Sequence, residues 1–456
     1  MSGEGSGNSR EIDVSLPTPR IRVEKLQSSL QVKAKSEPGY RFYSLWDKVY
    51  REDVLREAYR RSRANAGAPG VDGIDFKAIE SAGVDQWLKA LQEELRSKSY
   101  APQPLLRVWI PKRNGGQRPL SIPTVKDRVV QTAVVLVIGP IFEADLLPQQ
   151  YGFRPGLDAK TAVRRVYFHI TQHGRREVVD ADLSDYFTTI PHGQLLRCVA
   201  RRVTDRQVLS VIKQWLTAPV WERTRRGAIL RSTEARDRKR GTPQGGSASP
   251  LLANLYFRRF LRAWYEHGHY QRLDAHVVNY ADDLVICCQP GNGAAALAAM
   301  RGLMERLGLT VNDRKTKIAC LPEEPFDFLG FTVGRFYGKD GRAFVGTEPS
   351  RKSLQRIIER IHDETTPRWN LETVEKRVDE LNALLRGWSG YFNQGRVVRA
   401  YRIIQQYTNR RLRRWLIRRQ GKRGTGYRQY PDEYLYETLG LHQLPSNRAA
   451  VANAKA

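Results

Sequence analysis

Cysteine and long apolar runs are both scarce in this chain of 456 residues. None of its four cysteines, Cys198, Cys287, Cys288 and Cys320, forms a Cys-x-x-Cys pair, which argues against a structural zinc site. No unbroken apolar stretch is long enough to span a bilayer, and the first residues lack the charged-then-apolar order of a secretory signal. These absences predict a cytoplasmic protein with no membrane partner.

Acidic residues are also few relative to basic ones. The chain has 48 Asp and Glu against 76 Lys and Arg, a formal net charge of +28. An excess of this size favours a polyanionic partner, most simply nucleic acid bound through its phosphates. The length predicts two or three domains.

Two adjacent carboxylates interrupt an apolar, β-branched run at Tyr280-Ala-Asp-Asp283. Burying charge is costly unless the charge is paired or binds a metal, so the pattern predicts a hairpin with a tight Asp-Asp turn at its tip. Such a pair, taken alone, is usually an ordinary turn. Its neighbours in the sequence therefore decide how it is interpreted.

A second carboxylate lies in another apolar run, because residues 177–183 are typical of a buried strand that contains Asp182. Phosphoryl transfer with two metal ions about 3.5–4 Å apart needs carboxylates from separate strands. Asp182 and Asp282 are the candidates, with Asp283 as a third carboxylate. The alternative is that Asp180, Asp182 and Asp185 are only strand-end or turn residues.

Basic side chains crowd the tip of a predicted hairpin. One strand is predicted from Leu105 to Ile110, a second returns through residues 119–122, and Asn114-Gly-Gly116 forms the turn. Lys112 and Arg118 on opposite arms could clamp a nucleotide triphosphate. The alternative is a solvated hairpin tip.

Two further positions suit contact with a nucleotide. The ring of Phe187, five residues after Asp182, could exclude a ribose 2′-hydroxyl, although core packing is the better explanation of a single aromatic residue. Gln244, followed by Gly245 and Gly246, could meet a template base or the nucleotide where the glycines allow close backbone approach. The alternative for this segment is a loop before a helix.

The sequence becomes helical and strongly basic after Pro349. Three helices are predicted, the second capped by Asn370 and ended by Gly387. Residues 386–430 contain thirteen Lys or Arg, no Asp or Glu and eight aromatic residues. Arginine neutralises phosphates and aromatic rings stack on unpaired bases, so this module is predicted to bind RNA. The proposed contacts are Arg410, Arg411, Arg413, Arg414, Arg418 and Arg419; in the alternative, the aromatic rings form the core and only an arginine face is exposed.

The order of motifs resembles that of the reverse transcriptase/maturase proteins encoded by bacterial group II introns. The matching segments cover roughly residues 40 to 445 and are specific as an ordered set. They are Gly67-Ala-Pro-Gly-Val-Asp-Gly73, residues 110–123, Tyr151-Gly-Phe-Arg-Pro155, Ala181-Asp-Leu-Ser-Asp-Tyr-Phe187, Gly241-Thr-Pro-Gln-Gly-Gly246, Tyr280-Ala-Asp-Asp283, residues 308–317, Phe328-Leu-Gly-Phe331 and residues 384–392.

The resemblance implies an α/β (α+β) right-hand polymerase with an antiparallel catalytic sheet and an all-α thumb, the maturase domain X. The expected division is a flexible arm at 1–40, fingers and palm at 41–346, a thumb at 347–430 and a C-terminal tail at 431–456.

The resemblance also implies RNA-directed DNA synthesis and binding of the parent intron RNA to promote splicing and intron mobility. The implied partners are an RNA template with a DNA primer, dNTPs and a DNA target, in the bacterial cytoplasm near the nucleoid. Two Mg²⁺ ions, replaceable by Mn²⁺, would be held by Asp182, Asp282 and the Leu183 carbonyl. The implied catalytic residues are Asp182, Asp282 and Asp283, and the implied nucleotide contacts are Lys112, Arg118, Phe187, Gln244 and Lys315.

Some members of the family end in a DNA-binding region and an endonuclease with His, Asn and Cys motifs. No cysteine follows Cys320, so an endonuclease-lacking member is expected. Two alternatives remain open: a splicing-only maturase with a vestigial polymerase site, and a reverse transcriptase recruited to host defence or repair. Intron RNA boundaries in the flanking DNA would distinguish the intron-borne protein from the recruited one.

Overall fold

The chain folds into two compact units, seen here in a computed structural model that describes residues 18–111, 117–223, 229–232, 239–338 and 340–446. The first unit comprises the described residues of 1–147 and 185–260, and the second those of 148–184 and 261–456. Each unit therefore contains two separate stretches of chain.

Helices and strands alternate in the first two thirds of the chain, and helices dominate the last third. The helices are α1 (Pro19–Ser36), α2 (Trp46–Val49), α3 (Glu52–Ala64), α4 (Phe76–Ala82), α5 (Val84–Arg96), α6 (Val125–Glu143), α7 (Ala159–Gln172), α8 (Tyr186–Thr189), α9 (His192–Ala200), α10 (Arg206–Thr217), α11 (Ser249–Glu266), α12 (His269–Arg272), α13 (Gly293–Arg306), α14 (Arg351–Glu364), α15 (Val374–Tyr391) and α16 (Val398–Arg419). The strands are β1 (Leu105–Pro111), β2 (Gln117–Ile122), β3 (Glu177–Asp182), β4 (Val220–Arg223), β5 (Ile229–Arg231), β6 (His276–Tyr280), β7 (Asp283–Cys288), β8 (Lys317–Cys320), β9 (Phe326–Phe328), β10 (Phe331–Tyr337) and β11 (Ala343–Pro349).

The first unit contains the predicted basic hairpin. Strands β1 and β2 pair antiparallel from Leu106 with Ile122 to Pro111 with Gln117, which confirms the two strands. The hairpin belongs to a four-stranded sheet of order β2-β1-β4-β5. Residues 112–116, with the predicted turn and Lys112, lie outside the described residues.

Helix α1 corrects the prediction of a loose arm for residues 18–40, whereas residues 1–17 of that predicted arm lie outside the described residues. Its Val23, Leu30 and Ala34 are buried, and the helix packs on α6. The Gln27 side chain donates a hydrogen bond to the Leu136 carbonyl of α6 at 2.9 Å. Apolar residues are sparse in this polar segment, so its composition resembled that of a flexible arm. In the structure these few apolar side chains lie on one face of a helix.

The second unit is built on a four-stranded antiparallel sheet of order β6-β7-β3-β8. Helix α7 packs on β6 and β7, and α13 packs on β3 and β7. A core of buried apolar side chains joins the sheet, α7, the three-stranded sheet β11-β10-β9 and the last residues of α15, including Val166, Val285, Phe331 and Phe392.

The C-terminal helices α14, α15 and α16 share a second core. Thr373, not Asn370, caps α15, its hydroxyl accepting from the Lys376 amide at 3.2 Å. The helix also continues past Gly387 to Tyr391, because a glycine inside a packed helix lowers its stability without ending it.

The structure also corrects the expected tail at 431–456 for residues 431–446, the part of it that is described. Leu435, Leu441 and Leu444 are buried in the core shared by the C-terminal helices. The Asn382 side chain of α15 donates to the Gly440 carbonyl at 2.9 Å and accepts from the His442 amide at 2.6 Å. The helical module therefore extends through Leu444.

Candidate active site

The paired aspartates stand at the tip of the β6–β7 hairpin. Tyr280 pairs with Asp283, which leaves Ala281 and Asp282 as the two loop residues. The turn predicted at Asp282-Asp283 is therefore shifted by one residue, and Asp283 already belongs to β7. Ala281 has a φ of +58°, a left-handed conformation that an alanine adopts only when its surroundings enforce it.

Two residues that the sequence analysis did not single out hold this turn in place. The side chain of Asn279 is fully buried and donates to the carbonyls of Ala281 at 2.8 Å and Asp283 at 3.3 Å. Gly152 lies so close that a Cβ there would be 2.5 Å from the Ala281 nitrogen. The Tyr151 amide donates to the Asn279 carbonyl at 2.8 Å, which fixes the Tyr151-Gly152 segment against the hairpin.

Strand β3 places Asp182 directly opposite Asp283 in an antiparallel register. Residues opposite each other in such a pair project from the same face of the sheet, so these two carboxylates are neighbours. Asp180, two residues earlier on β3, projects from that face as well. The structure thus brings together Asp182 and the Asp282-Asp283 pair, as the sequence predicted.

Crowding of carboxylates changes their ionisation. Loss of water contact, followed by repulsion from Asp282, Asp182 and Asp180, raises the pKa of Asp283 to about 7. The Asp283 side chain remains accessible at the surface, where the neighbouring negative charges disfavour its ionisation. Burial raises the pKa of Asp180 to about 6, against the opposing charge of Lys317.

A cationic side chain contacts Asp182. The Lys315 ammonium group lies 3.2 Å from one carboxylate oxygen and 3.3 Å from the other. Asn312, which was not singled out by the sequence analysis, donates its side-chain amide to Asp182 at 3.1 Å and its backbone amide to the Asp182 carbonyl at 2.8 Å. Both residues belong to the segment 308–317, whose position in the family order was the only available signal for Asn312.

The backbone at Leu183 forms an isolated antiparallel bridge with Val311. This bridge uses the Asp182 carbonyl and the Ser184 amide, which donates to Thr310 at 2.9 Å. The Leu183 carbonyl, predicted as a metal ligand, is not needed for either hydrogen bond.

The donor set at this place suits a hard divalent cation. Mg²⁺ prefers carboxylate and carbonyl oxygens, and it usually keeps several water or substrate ligands. The raised pKa of Asp283 and the ammonium group on Asp182 both show that the cluster attracts positive charge. Among the residues that the structure describes, no group of three His, Cys, Asp or Glu side chains is arranged to hold an ion by itself. A metal here would take other ligands from substrate or solvent.

The predicted nucleotide contacts other than Lys315 lie in the first unit. Arg118 is exposed on β2, opposite Ile110. The Gln244 carbonyl accepts from the Ser121 amide at 2.7 Å, which ties the Gln244 loop to the same strand. Gly245 has a φ of +117°, and a Cβ there would be 2.7 Å from the Ser121 oxygen, so this close approach requires glycine.

Phe187 lies on the short helix α8 and is partly buried. Its carbonyl accepts from the Thr242 amide at 2.7 Å, so it is linked to the segment that leads into the Gln244 loop. Its ring contacts that of Tyr186 edge-on, with centroids 5.7 Å apart.

The predicted RNA-contacting arginines of α16 divide into two groups. Arg410, Arg414, Arg418 and Arg419 are exposed, and the first three follow each other at intervals of four residues along one face. Arg411 and Arg413 are buried, which corrects their assignment as surface contacts.

The two buried arginines have structural partners. Arg411 donates to the Thr365 hydroxyl at 2.9 Å and to the Thr365 carbonyl at 3.0 Å. Arg413 donates to the Tyr430 carbonyl at 2.6 Å and pairs with Asp432. Both side chains hold neighbouring segments against α16, because a buried guanidinium must be hydrogen-bonded.

Comparison with known proteins agrees with this geometry. The family described as reverse transcriptase (RNA-dependent DNA polymerase) matches residues 110–333, which include the three aspartates, and the group II intron maturase-specific domain matches residues 354–431. Protein YkfC of Escherichia coli is 33% identical over 368 residues, covering 73% of this chain and 93% of YkfC. The chain belongs to the reverse transcriptase family, with a group II intron maturase domain.

Other relatives of this reverse transcriptase are intron proteins. The group II intron-encoded protein LtrA of Lactococcus lactis is 30% identical over 216 residues, which are 47% of this chain and 34% of LtrA. A putative COX1/OXI3 intron 1 protein of Saccharomyces cerevisiae is 24% identical over 331 residues, covering 62% of this chain and 38% of that protein. The chain thus spans little more than a third of these two intron proteins.

Membership of this family confirms the predicted enzymatic activity and architecture. The protein is an RNA-directed DNA polymerase with mixed α/β fingers and palm and a helical C-terminal module. Dependence on divalent metal, and interaction with intron RNA and with template and primer nucleic acid, accompany membership of the family. Within the described residues, no helix combines the length and apolarity needed to cross a bilayer.

Proposed function

We propose that this reverse transcriptase joins dNTPs to a DNA primer on an RNA template at Asp182, Asp282 and Asp283. The observation that carries the proposal is the register of β3 and β7, which places Asp182 opposite Asp283 and beside the Asp282 loop. Asp182, Asp282 and the Leu183 carbonyl would hold two Mg²⁺ ions, for which Mn²⁺ would substitute. Bound ions of this kind polarise phosphoryl oxygens and lower the pKa of an attacking hydroxyl.

The side chains around the carboxylates have distinct tasks in this proposal. Asn312 keeps the Asp182 carboxylate oriented through its 3.1 Å hydrogen bond. The long, exposed side chain of Lys315 exchanges its contact with Asp182 for the phosphates of the incoming nucleotide, as a flexible point charge can. The Asp283 carboxyl group is partly protonated near neutral pH, and it loses this proton when positive charge enters the cluster.

Four further residues named from the sequence contact the nucleotide in this proposal. The exposed guanidinium group of Arg118, together with Lys112, binds the triphosphate, because a guanidinium can donate two parallel hydrogen bonds to a phosphate. Phe187 limits the space for a ribose 2′-hydroxyl, and Gln244 contacts the nucleotide or its template base.

The helical module, proposed here as the thumb from residue 347 onwards, binds the parent intron RNA and so assists splicing and mobility into a DNA target. The exposed arginines of α16, Arg410, Arg414, Arg418 and Arg419, provide the phosphate contacts. A DNA target places this activity at the nucleoid, in the bacterial cytoplasm.

The catalytic assignment is tested by Asp282→Ala in a primer-extension assay with a DNA primer annealed to an RNA template and Mg²⁺. We expect extension to fall by at least about a thousandfold, because charge stabilisation at the reacting centre supplies much of the rate. Binding of an RNA transcribed from the flanking DNA should remain close to wild type. The matched control is Asp340→Ala, an exposed aspartate in the β10–β11 connection.

Extension by Asp282→Ala at the wild-type rate would refute the catalytic assignment. If the wild-type protein bound and spliced the flanking RNA but did not extend primers, the splicing-only maturase would be the correct function. If it extended primers without affinity for that RNA, a recruited reverse transcriptase would be supported.

A further inference from the structure

A cleft in the second unit has no part in the catalytic assignment. It has a volume of about 490 Å³, within the range of ~300–1,000 Å³ that is usual for ligand pockets. Helix α7, strand β11 and the segment before α16 form its walls. Its nine lining residues include Arg164, Tyr167, Phe344 and Arg396.

Close backbone contacts form one wall of the cleft. The Arg396 amide donates to the Thr347 carbonyl at 2.7 Å, which holds the segment before α16 against β11. Gly395 has a φ of +76°, and a Cβ there would be 2.3 Å from the Thr347 oxygen. Only glycine permits this approach, so the wall depends on the sequence at this position.

Contacts with α7 form the opposite wall. The Gln394 side chain donates to the Lys160 carbonyl at 3.3 Å, and the Lys160 ammonium donates to the Gly390 carbonyl at 3.2 Å. The cleft is therefore bounded by α7 and β11, and the loop between α15 and α16 is hydrogen-bonded to both of them.

Aromatic rings and guanidinium groups share the surface of the cleft. Phe344 is 39% exposed and Tyr167 is 37% exposed, although apolar rings of this size are usually buried. The Arg396 guanidinium lies over the Phe336 ring at 4.9 Å and over the Phe344 ring at 6.0 Å. These contacts fix the Phe344 ring at the surface, with a cation beside it.

The cleft is electrostatically suited to an anion. Arg164 and Arg396 both line it, and none of the nine lining residues is acidic. Arg164 uses one nitrogen for a 3.1 Å hydrogen bond to the Thr161 hydroxyl, and its side chain is exposed. A guanidinium has five N–H donors, so Arg164 keeps donors for a ligand.

We propose that this cleft binds an unpaired nucleotide of an RNA strand. The base stacks on Phe344 and Tyr167, and the adjacent phosphate is bound by Arg164 and Arg396. Stacking on aromatic rings beside arginine is how proteins commonly hold unpaired nucleotides. An apolar peptide would offer neither guanidinium group an anionic partner, and an acidic peptide would not use the exposed rings. The proposal does not depend on the catalytic aspartates.

Photochemical cross-linking of the full-length wild-type protein tests this site directly. The probe is a ten-nucleotide single-stranded RNA of mixed sequence with 4-thiouridine at alternate positions. We expect cross-linked nucleotides on the peptides that contain Tyr167 and Phe344, identified by mass spectrometry. If neither peptide is cross-linked in the wild-type protein, the proposal is wrong, whatever the variants show.

A double variant, Arg164→Ala with Tyr167→Ala, gives the energetic test. We expect its affinity for the same RNA, measured by fluorescence anisotropy, to fall about tenfold, as loss of one stacked base and one phosphate contact predicts. The single variant Tyr167→Phe keeps the ring and should retain wild-type affinity. Both substituted positions are exposed on α7, so the fold should be preserved, which circular dichroism will check.

The matched control is Tyr337→Ala with Arg342→Ala. This pair removes one exposed ring and one exposed guanidinium from β10 and the turn after it, outside the cleft. Equal losses of affinity in the control and the cleft variant would refute a specific site. Primer extension on a pre-annealed template should be unchanged in the cleft variant, which separates this proposal from the catalytic one.

Discussion

At the residue scale, the site depends on a glycine as much as on its aspartates. Gly152 contacts the backbone of the Asp282 loop, where Ala281 has a left-handed conformation. A side chain at 152 would displace the loop that carries Asp282. Since misplacement by about 1 Å can cost a hundredfold in rate, this contact bears directly on catalysis.

We therefore expect Gly152→Ala to reduce the primer-extension rate about a hundredfold while the protein remains folded. Steady-state kinetics should show the loss in kcat more than in KM, because the substrate-binding residues are unchanged. Gly302→Ala is the control: this helical glycine on α13 has nothing within 4 Å of an added Cβ, and the substitution should stabilise the protein slightly. An active Gly152→Ala enzyme would show that the loop tolerates displacement.

The sequence indicated which residues carry the site better than it indicated whether a given side chain is buried or exposed. Asp182, Asp282 and Asp283 were recognisable because charge inside an apolar β-type run needs an explanation. Composition could not show that Arg411 and Arg413 are buried whereas Arg410 and Arg414 are exposed. Tertiary partners such as Thr365 decide which side chains of α16 face the interior. Asn279 and Asn312 were missed because their importance lies in hydrogen bonds to the Asp282 loop and to Asp182, which the sequence does not reveal.

At the scale of the elements, helix α1 shows how few apolar residues can fix a segment. Only Val23, Leu30 and Ala34 of its eighteen residues are buried. The paired strands of both hairpins, by contrast, were predicted correctly because their alternation acts locally, although the Asp-Asp turn was placed one residue too late. Docking of α1 depends on α6, where the partners Gln27 and Leu136 are 109 residues apart.

Helix α1 offers a matched pair of valines. Val23→Asp should lower the free energy of unfolding by about 3 kcal/mol or more, because it buries an unpaired charge where Val23 is 1% exposed. Val32→Asp, on the same helix at a position that is 63% exposed, should change it by less than about 0.5 kcal/mol. Urea denaturation followed by tryptophan fluorescence measures both. Similar effects for the two variants would mean that α1 does not dock as described.

At the scale of the whole molecule, a net charge of +28 makes association with RNA strongly dependent on salt. Some of that charge is internal, however, because Arg411 and Arg413 are already partnered within the protein. The number of arginines in the helical module therefore overstates the number of phosphates it can neutralise.

We expect a triple variant to weaken the salt dependence of RNA binding. For Arg410→Ala, Arg414→Ala, Arg418→Ala, the slope of the logarithm of the association constant against the logarithm of the salt concentration should fall in magnitude by about 0.7–0.9 for each lost phosphate contact. A control with the same change in charge is Lys352→Ala, Arg356→Ala, Arg360→Ala, an exposed stripe on α14. We expect a smaller effect from the control, in filter binding of the flanking RNA between 50 and 300 mM KCl (about a sixfold range). Equal slopes for the two variants would assign binding to overall charge and not to the α16 stripe.

The burial of Leu435, Leu441 and Leu444 has a consequence for the order of events during synthesis. Domains generally fold as units while the chain is made at about 5–20 residues per second. The catalytic sheet is complete once residue 320 has left the ribosome, whereas the core beneath α16 lacks three leucines until residue 444 has emerged. A nascent chain can thus assemble the sheet that carries Asp182 and Asp282 seconds before α16 is firmly held.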